Sequence, residues 1–432
     1  MISPLLLRNL LPHDPWKRNQ FAVTVSAAFI FSGFTLIMPF VPMYVQMLGV
    51  RSQAAAAIWA GIALGISPLV ASLAAPVWGR IADRYGLKIM AVRITFALFA
   101  IWALTAFAQN VYHLLILRFL LGLLGGFNAF SISLATQLSP QQKVGRVIGT
   151  LQAVQISSTA VGPFVGGILA GWIGIRHTFL VTSFLCLLSL LLFVFLYQDK
   201  DASQLSPPVA VPPPQPHEGL ASLMLLPDFA VVASLLFLVT TIDRGFSPVI
   251  PLFVADYRTD PLEAARLSGI ILSRAAFAES FAAWYSGKTV TRSEPKQFLL
   301  VRLGAGSLIC FLIGFAASVM RLLGLRVLLA LLAGGTLTVA YTLASRVIPE
   351  SQRAAAFGLL SSFGMMGGAV GPLLGGLSVL IDIRTVFFFD GLIYAGLSWA
   401  VWRSLRGENQ NAPQRQVGHL SGARGGNGES PP

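Results

Sequence analysis

The chain has 432 residues, 55% of them hydrophobic and only 11% charged, against ~25% charged in average soluble domains. Such a chain cannot clothe itself in a polar surface, which excludes an ordinary soluble fold. Its net charge of +13 lies between long apolar runs. Lys and Arg accumulate in that way in the cytoplasmic loops of membrane proteins, so nucleic acid is not an expected partner.

The first apolar run, Phe21 to Val45, exceeds the ~20 residues needed to cross a bilayer. It is too long for a signal-peptide core and lacks a small-residue cleavage site, so it predicts a first transmembrane helix. Residues 1–20, with Arg8, Lys17 and Arg18, form a cytoplasmic N-terminal segment ahead of it. In lipid only helices or closed barrels satisfy every backbone polar group. Barrel strands alternate over ~10 residues, so continuous runs of this length predict helices. Twelve spans are expected near 21–46, 55–79, 88–109, 112–136, 146–169, 177–197, 228–254, 264–287, 297–318, 322–345, 354–380 and 385–404. The fold class is an all-α membrane protein. Cys186 and Cys310 sit inside these runs and suggest neither a disulfide framework nor a metal site. No cofactor is expected.

Lys and Arg number 18 in the segments on the side of the termini and six in the loops on the other side, which predicts cytoplasmic termini. Residues 198–227 carry Ser206-Pro207-Pro208 and Pro212-Pro213-Pro214-Gln215-Pro216. Proline this dense favours extended chain and cannot continue a helix, so the stretch is a linker between bundles at 21–197 and 228–404. The tail, 405–432, is rich in Gly, Asn and Gln and reads as disordered.

The two bundles are related. A shift of 209 brings Pro39 and Pro42 onto Pro248 and Pro251, and Gly162-Pro163 with Gly166-Gly167 onto Gly371-Pro372 with Gly375-Gly376. A shift of 208 brings Gly79 onto Gly287 and Arg118 onto Arg326, with Gly126 slipping by one residue onto Gly335. The halves are therefore parallel repeats of six spans, an arrangement that places a binding site at their interface near the midplane.

Between spans two and three lies Gly79-Arg80-Ile81-Ala82-Asp83-Arg84-Tyr85-Gly86-Leu87-Lys88. It resembles the G-x-x-x-D-R-x-G-R/K-K/R signature of the major facilitator superfamily, with Leu87 in place of one basic residue. The resemblance implies that Gly79, Asp83, Arg84, Gly86 and Lys88 form a cytoplasmic latch. Gly79 and Gly86 would allow close helix approach and a tight turn. The second-half counterpart has Thr291 where the acid would be. In span four, Arg118 to Gly122 resembles the R-x-x-Q-G motif of proton-coupled members, with Leu121 replacing the glutamine. Arg118 either serves coupling or pairing, or snorkels to the near edge. In span five, Ser158 to Gly167 resembles the G-x-x-x-G-P-x-x-G-G string of antiporters, and above all of the twelve-span drug:proton antiporters among bacterial multidrug exporters. Small residues there let helices pack closely and Pro163 kinks the span; Gly162, Gly166, Gly167, Gly371 and Pro372 are the expected packing positions.

A proton-coupled machine needs acids inside its spans. Asp243 lies roughly 22 Å along span seven from its inner end, with Arg244 beside it and Arg274 of span eight at comparable depth. Neighbouring residues on a helix point about 100° apart, so Arg274 is the expected partner of Asp243. Glu279 is a second candidate, and Asp390 is expected at the interface near the outer end of span twelve. Span one contains no acid, unlike many drug antiporters. Phe34, Asn128, Gln152, Gln155 and Phe246 are candidate wall residues of a cavity for amphiphilic compounds.

These readings predict proton-coupled export of lipophilic compounds by a monomer in a bacterial inner membrane, its partners being a small-molecule substrate, protons and the lipid bilayer. Export of one specific metabolite is the alternative within the same fold, and a non-transporting receptor or scaffold is the alternative outside it. No constellation of catalytic side chains suggests an enzyme.

Overall fold

A computed structural model of the chain describes residues 15–127, 130–131, 134, 144–198, 227–257, 260–289, 295–347 and 353–404. At a few helical positions, Gly79, Asp83 and Gln152 among them, the side chain lies outside the described residues, as do Asn128, the 199–226 linker segment and the 405–432 tail. Among the described residues the regular structure is helical. The first half contains α1 (Pro15–Ile37), which passes through a 3₁₀ turn at Met38–Phe40 into α2 (Val41–Met47), then α3 (Gln53–Tyr85), α4 (Leu87–Ala106), α5 (Val111–Leu124), α6 (Val144–Ile173) and α7 (Ile175–Phe195). The second half contains α8 (Pro227–Ala255), α9 (Pro261–Thr289), α10 (Pro295–Gly314), α11 (Val319–Ala333), α12 (Thr336–Val347), α13 (Arg353–Ser378) and α14 (Thr385–Ser404).

Ten of the described helical stretches are long and apolar enough to cross a membrane. Helix α9 carries Arg266, Arg274 and Glu279, whose charges lower its hydropathy, and α5 is cut short by a break. Local sequence sets the ends. Asn110 and Ser318, equivalent in the repeat, cap α5 and α11 by accepting from the backbone N–H of His113 and Arg321 at 2.9 and 3.2 Å. Gly86 (φ +88°) makes a one-residue turn between α3 and α4, a backbone state that favours glycine.

Helix α5 stops at Gly125-Gly126 and α11 at Gly334-Gly335, with Gly126 and Gly335 at φ +83° and +76°. Both breaks are tied from outside. The indole N–H of Trp78 donates to the carbonyl of Leu123 at 2.6 Å, and Arg302 Nη1 donates to the carbonyls of Leu332 and Gly334. The buried residues Leu114, Arg118, Leu121 and Gly122 of α5 match Leu322, Arg326, Leu329 and Ala330 of α11 at a shift of 208, but the breaks match at 209.

The halves meet through α3 against α13 and α6 against α9. A methyl group on Gly61 or Gly65 would overlap the carbonyls of Pro372 or Ala369, and one on Gly269 would overlap that of Pro163. Gln53 Nε2 donates across the same interface to the Leu252 carbonyl at 3.1 Å and to Asp256 Oδ1 at 2.9 Å. Ser273 Oγ donates to the Ala160 carbonyl. All of these contacts lie in the ends of the helices remote from the chain termini. Toward the termini the same helices expose Leu73, Val77, Ile156, Phe281, Met365 and Met366.

Candidate functional site

Helices α8, α9, α11, α12 and α14 enclose a cavity of about 170 Å³ in the second half, lined among others by Asp243, Phe246, Glu279, Arg326, Thr338 and Tyr394. The Gly334-Gly335 break forms part of its wall. Broken helices at matching places in two repeats mark the binding regions of transporters, because their freed backbone groups face a cavity rather than lipid.

Arg326 Nη2 donates to Asp243 Oδ1 at 3.2 Å, the guanidinium being 8% exposed and the carboxylate 38%. The guanidinium also lies over the Phe246 ring at 4.6 Å, and Phe246 stacks on Phe387 at 5.7 Å. Glu279 of α9 lines the same cavity. Two acids and one arginine therefore share the cavity. Both acids singled out in the sequence come together here.

Their expected partner does not. Arg274 is exposed on α9, and Arg326 pairs with Asp243 instead. Depth along a helix can be counted from sequence, whereas the direction a side chain faces is set by its packing neighbours. Arg244 is also exposed, at the close crossing of α8 with Gly371. Asp390 is buried at 7% exposure rather than interfacial, and its Oδ2 has no hydrogen-bond partner among the described residues. It replaces Thr182 of the first half, whose hydroxyl donates to the Gly33 carbonyl at 3.1 Å.

The first half builds the same site without the acid. Arg118 does not snorkel: it is 2% exposed, and none of its three guanidinium nitrogens has a hydrogen-bond partner among the described residues. It lies 4.9 Å from the centre of the Trp102 ring. Phe34 meets Trp102 edge-on at 5.3 Å, and Trp102 stacks on Phe179 at 6.0 Å. The repeat shift of 209 puts Phe34 where Asp243 stands in the second half. The cation is thus held by an aromatic face in one half and by a carboxylate and an aromatic face in the other.

The antiporter-like string works on two faces of its helix. Gly162 and Gly166 let α6 close on Thr35 and Leu36 of α1, while Thr35 Oγ1 donates to the Ser158 carbonyl at 2.8 Å. Gly371 and Gly375 let α13 close on Thr241 and Gly245 of α8 in the same manner. The other face carries Pro163 and Gly167 against Gly269, and Pro372 and Gly376 against Gly61 and Ala57. One face joins each half internally and the other joins the two halves.

Of the latch residues, Arg84 is exposed beside the Tyr85 ring and Lys88 is half-buried; the side chains of Gly79 and Asp83 lie outside the described residues. Among the wall candidates, Phe246 lines the second-half cavity, Phe34 packs in the first-half aromatic cluster and Gln155 is half-buried on α6. Asn128 and the Gln152 side chain lie outside the described residues.

The model of the Major Facilitator Superfamily matches residues 23–321 and 232–425. The chain belongs to this superfamily. Multidrug resistance protein MdtG of Proteus mirabilis (strain HI4320) is 31% identical over 416 residues, covering 94% of this chain and 100% of that protein. The protein of the same name from Enterobacter lignolyticus (strain SCF1) is 33% identical over 396 residues, covering 89% and 92%. The fold is that of two solved transporters, each 15% identical in sequence. One is an inward-facing, unoccupied bacterial homolog of the human lysosomal transporter Spinster (TM-score 0.69, 90% of this chain and 95% of that one). The other is the nucleoside transporter NupG (TM-score 0.71, 90% and 100%). As a major facilitator superfamily member with this many apolar helices, the chain is an integral membrane transporter.

Proposed function

We propose that this transporter is a proton-driven multidrug exporter of the bacterial inner membrane, moving lipophilic or amphiphilic compounds by alternating access as a monomer. The observation that carries the coupling is the cavity shared by Asp243, Glu279 and Arg326. With both acids ionised the cavity has one negative charge in excess, and a single proton neutralises it. A proton on Asp243 removes the attraction that ties α8 to α11, so loading biases the packing of the second half. The names of the relatives, both multidrug resistance proteins, support the substrate class. The 18-to-six distribution of Lys and Arg supports cytoplasmic termini. In that orientation the helix ends at which the halves touch through Gln53 and Asp256 face away from the cytoplasm, and substrate enters from the cytoplasmic side.

Inverted membrane vesicles test the reading. Imposing a proton gradient should drive accumulation of a lipophilic dye such as ethidium, and collapsing it with a protonophore should stop uptake. Asp243→Asn should abolish the gradient-driven component. Uptake by the unaltered protein that continues at full rate without a gradient would overturn the coupling.

A further inference from the structure

Helices α10 and α14 run along one another at the periphery of the second half, and their contacts are with one another and with other helices of that half. Between them lies a laterally open crease of about 430 Å³. Its floor is made by Gly304 and Ser307 of α10 and by Ala395 and Ser398 of α14, with Trp399 and Trp402 along one wall.

Small residues in membrane helices normally allow close helix approach. These do not. A side chain at Gly304, or at Gly396 next to the crease, would meet nothing within 4 Å. The repeat shift of 208 puts bulky residues at the corresponding positions of α4 and α7, Phe96, Phe99, Leu187 and Leu190, with Phe96 and Phe99 in ring contact at 6.4 Å. The second half has thus exchanged bulk for space at the four corresponding positions. The Ser307 hydroxyl donates to the Gly391 carbonyl at 2.9 Å, so it adds no unsatisfied donor to the floor. In a bilayer a space of this kind fills with hydrocarbon, because water there would lack partners.

The mouth of the crease is basic. Arg403 stands in the last turn of α14, at the end that carries the termini. The Arg403 guanidinium lies over the Trp399 ring at 5.3 Å, which joins the charged mouth to the aromatic wall. Cations at that depth attract anionic headgroups.

We propose that this crease binds one acyl chain of an anionic phospholipid from the leaflet at the termini end, with the lipid phosphate facing Arg403.

Tryptophan quenching by lipids with brominated acyl chains tests it. The full-length protein has eight tryptophans, so the signal from the crease is the difference between it and the Trp399→Phe/Trp402→Phe variant. Brominated phosphatidylglycerol should quench at about fivefold lower mole fraction than brominated phosphatidylcholine, the ratio that one basic residue supplies near a membrane surface. Arg403→Gln should bring the two lipids together. Gly304→Phe, which copies the first half, should remove the preferential quenching while the thermal unfolding transition is kept. Should that variant fail to fold, Ser398→Leu fills the same floor with a smaller group. Equal quenching by the two lipids in the unaltered protein would overturn the proposal. So would a filled crease that still prefers the anionic lipid, or a shift from dimer to monomer on filling it, which would assign the crease to a second copy of the chain.

Discussion

Arg326 and Asp243 form a 3.2 Å ion pair between α11 and α8, and the repeat places Arg118 and Phe34 at the same two positions of the first half. One half therefore pairs its buried cation with an acid, and the other surrounds it with rings.

The pair should behave as a unit in unfolding. Removing one partner of a buried pair costs ~3–5 kcal/mol, and the exposure of Asp243 reduces the expected cost to ~1–3 kcal/mol. Asp243→Leu and Arg326→Met should each destabilise the detergent-solubilised protein by about that amount. The double variant should lose less than the sum of the two, because it leaves no orphaned charge. Thermal unfolding of the four proteins closes the cycle, and additive losses would count against the pairing.

The first half should accept the missing acid. Phe34→Asp puts a carboxylate opposite Arg118, and its cost should be smaller in the presence of Arg118 than in Arg118→Met, by ~1–3 kcal/mol of coupling. Equal costs in the two backgrounds would mean that the halves differ in backbone as well as in side chain.

Contact between the halves should be readable at Gln53 and Asp256. In a cysteine-free background, the Gln53→Cys/Asp256→Cys protein should crosslink readily, since the native side chains touch across the interface at 2.9 Å. The crosslink should stop transport, and a reductant should restore it. Gly269→Val, whose side chain would collide with the Pro163 carbonyl, should lower the crosslinking yield without abolishing expression. Full yield in that variant would show that the glycine contact does not set the closure.

Two glycines should respond in opposite ways to alanine. Gly335 sits at φ +76° with Ser286 and Ala282 crowding the place of a side chain, so Gly335→Ala should cost more than ~1 kcal/mol. Gly396 is helical with open space around it, and Gly396→Ala should be neutral or stabilising by up to ~1 kcal/mol. Unfolding temperatures of the two variants decide this directly.

The membrane fold was legible because length and hydropathy alone mark its spans, and the repeat because Gly-Pro pairs and arginines recur at a constant shift. Asp243 and Glu279 could be singled out because acids are costly inside spans. The partner could not. Arg274 lies 13 residues past the start of α9 and Arg326 only seven past the start of α11, so counting favours Arg274, whereas packing turns Arg326 toward Asp243. Asp390 sits five residues past the start of α14, which suggests the interface by counting, yet its side chain turns inward. Hydropathy also reads straight through the Gly125-Gly126 and Gly334-Gly335 breaks, since it contains no φ angle.

The one-residue slip between repeats has a geometric consequence. Arg118 precedes Gly125 by seven residues, close to two full turns, so the arginine and the first break point to nearly the same side of their helix. Arg326 precedes Gly334 by eight, which puts the second break about 80° round the helix from its arginine. A single inserted residue thus swings the loose end of α11 aside from the cation and turns it into a wall of the acid cavity. Two related halves need no additional helix to differ in this way; a one-residue offset re-aims an existing one.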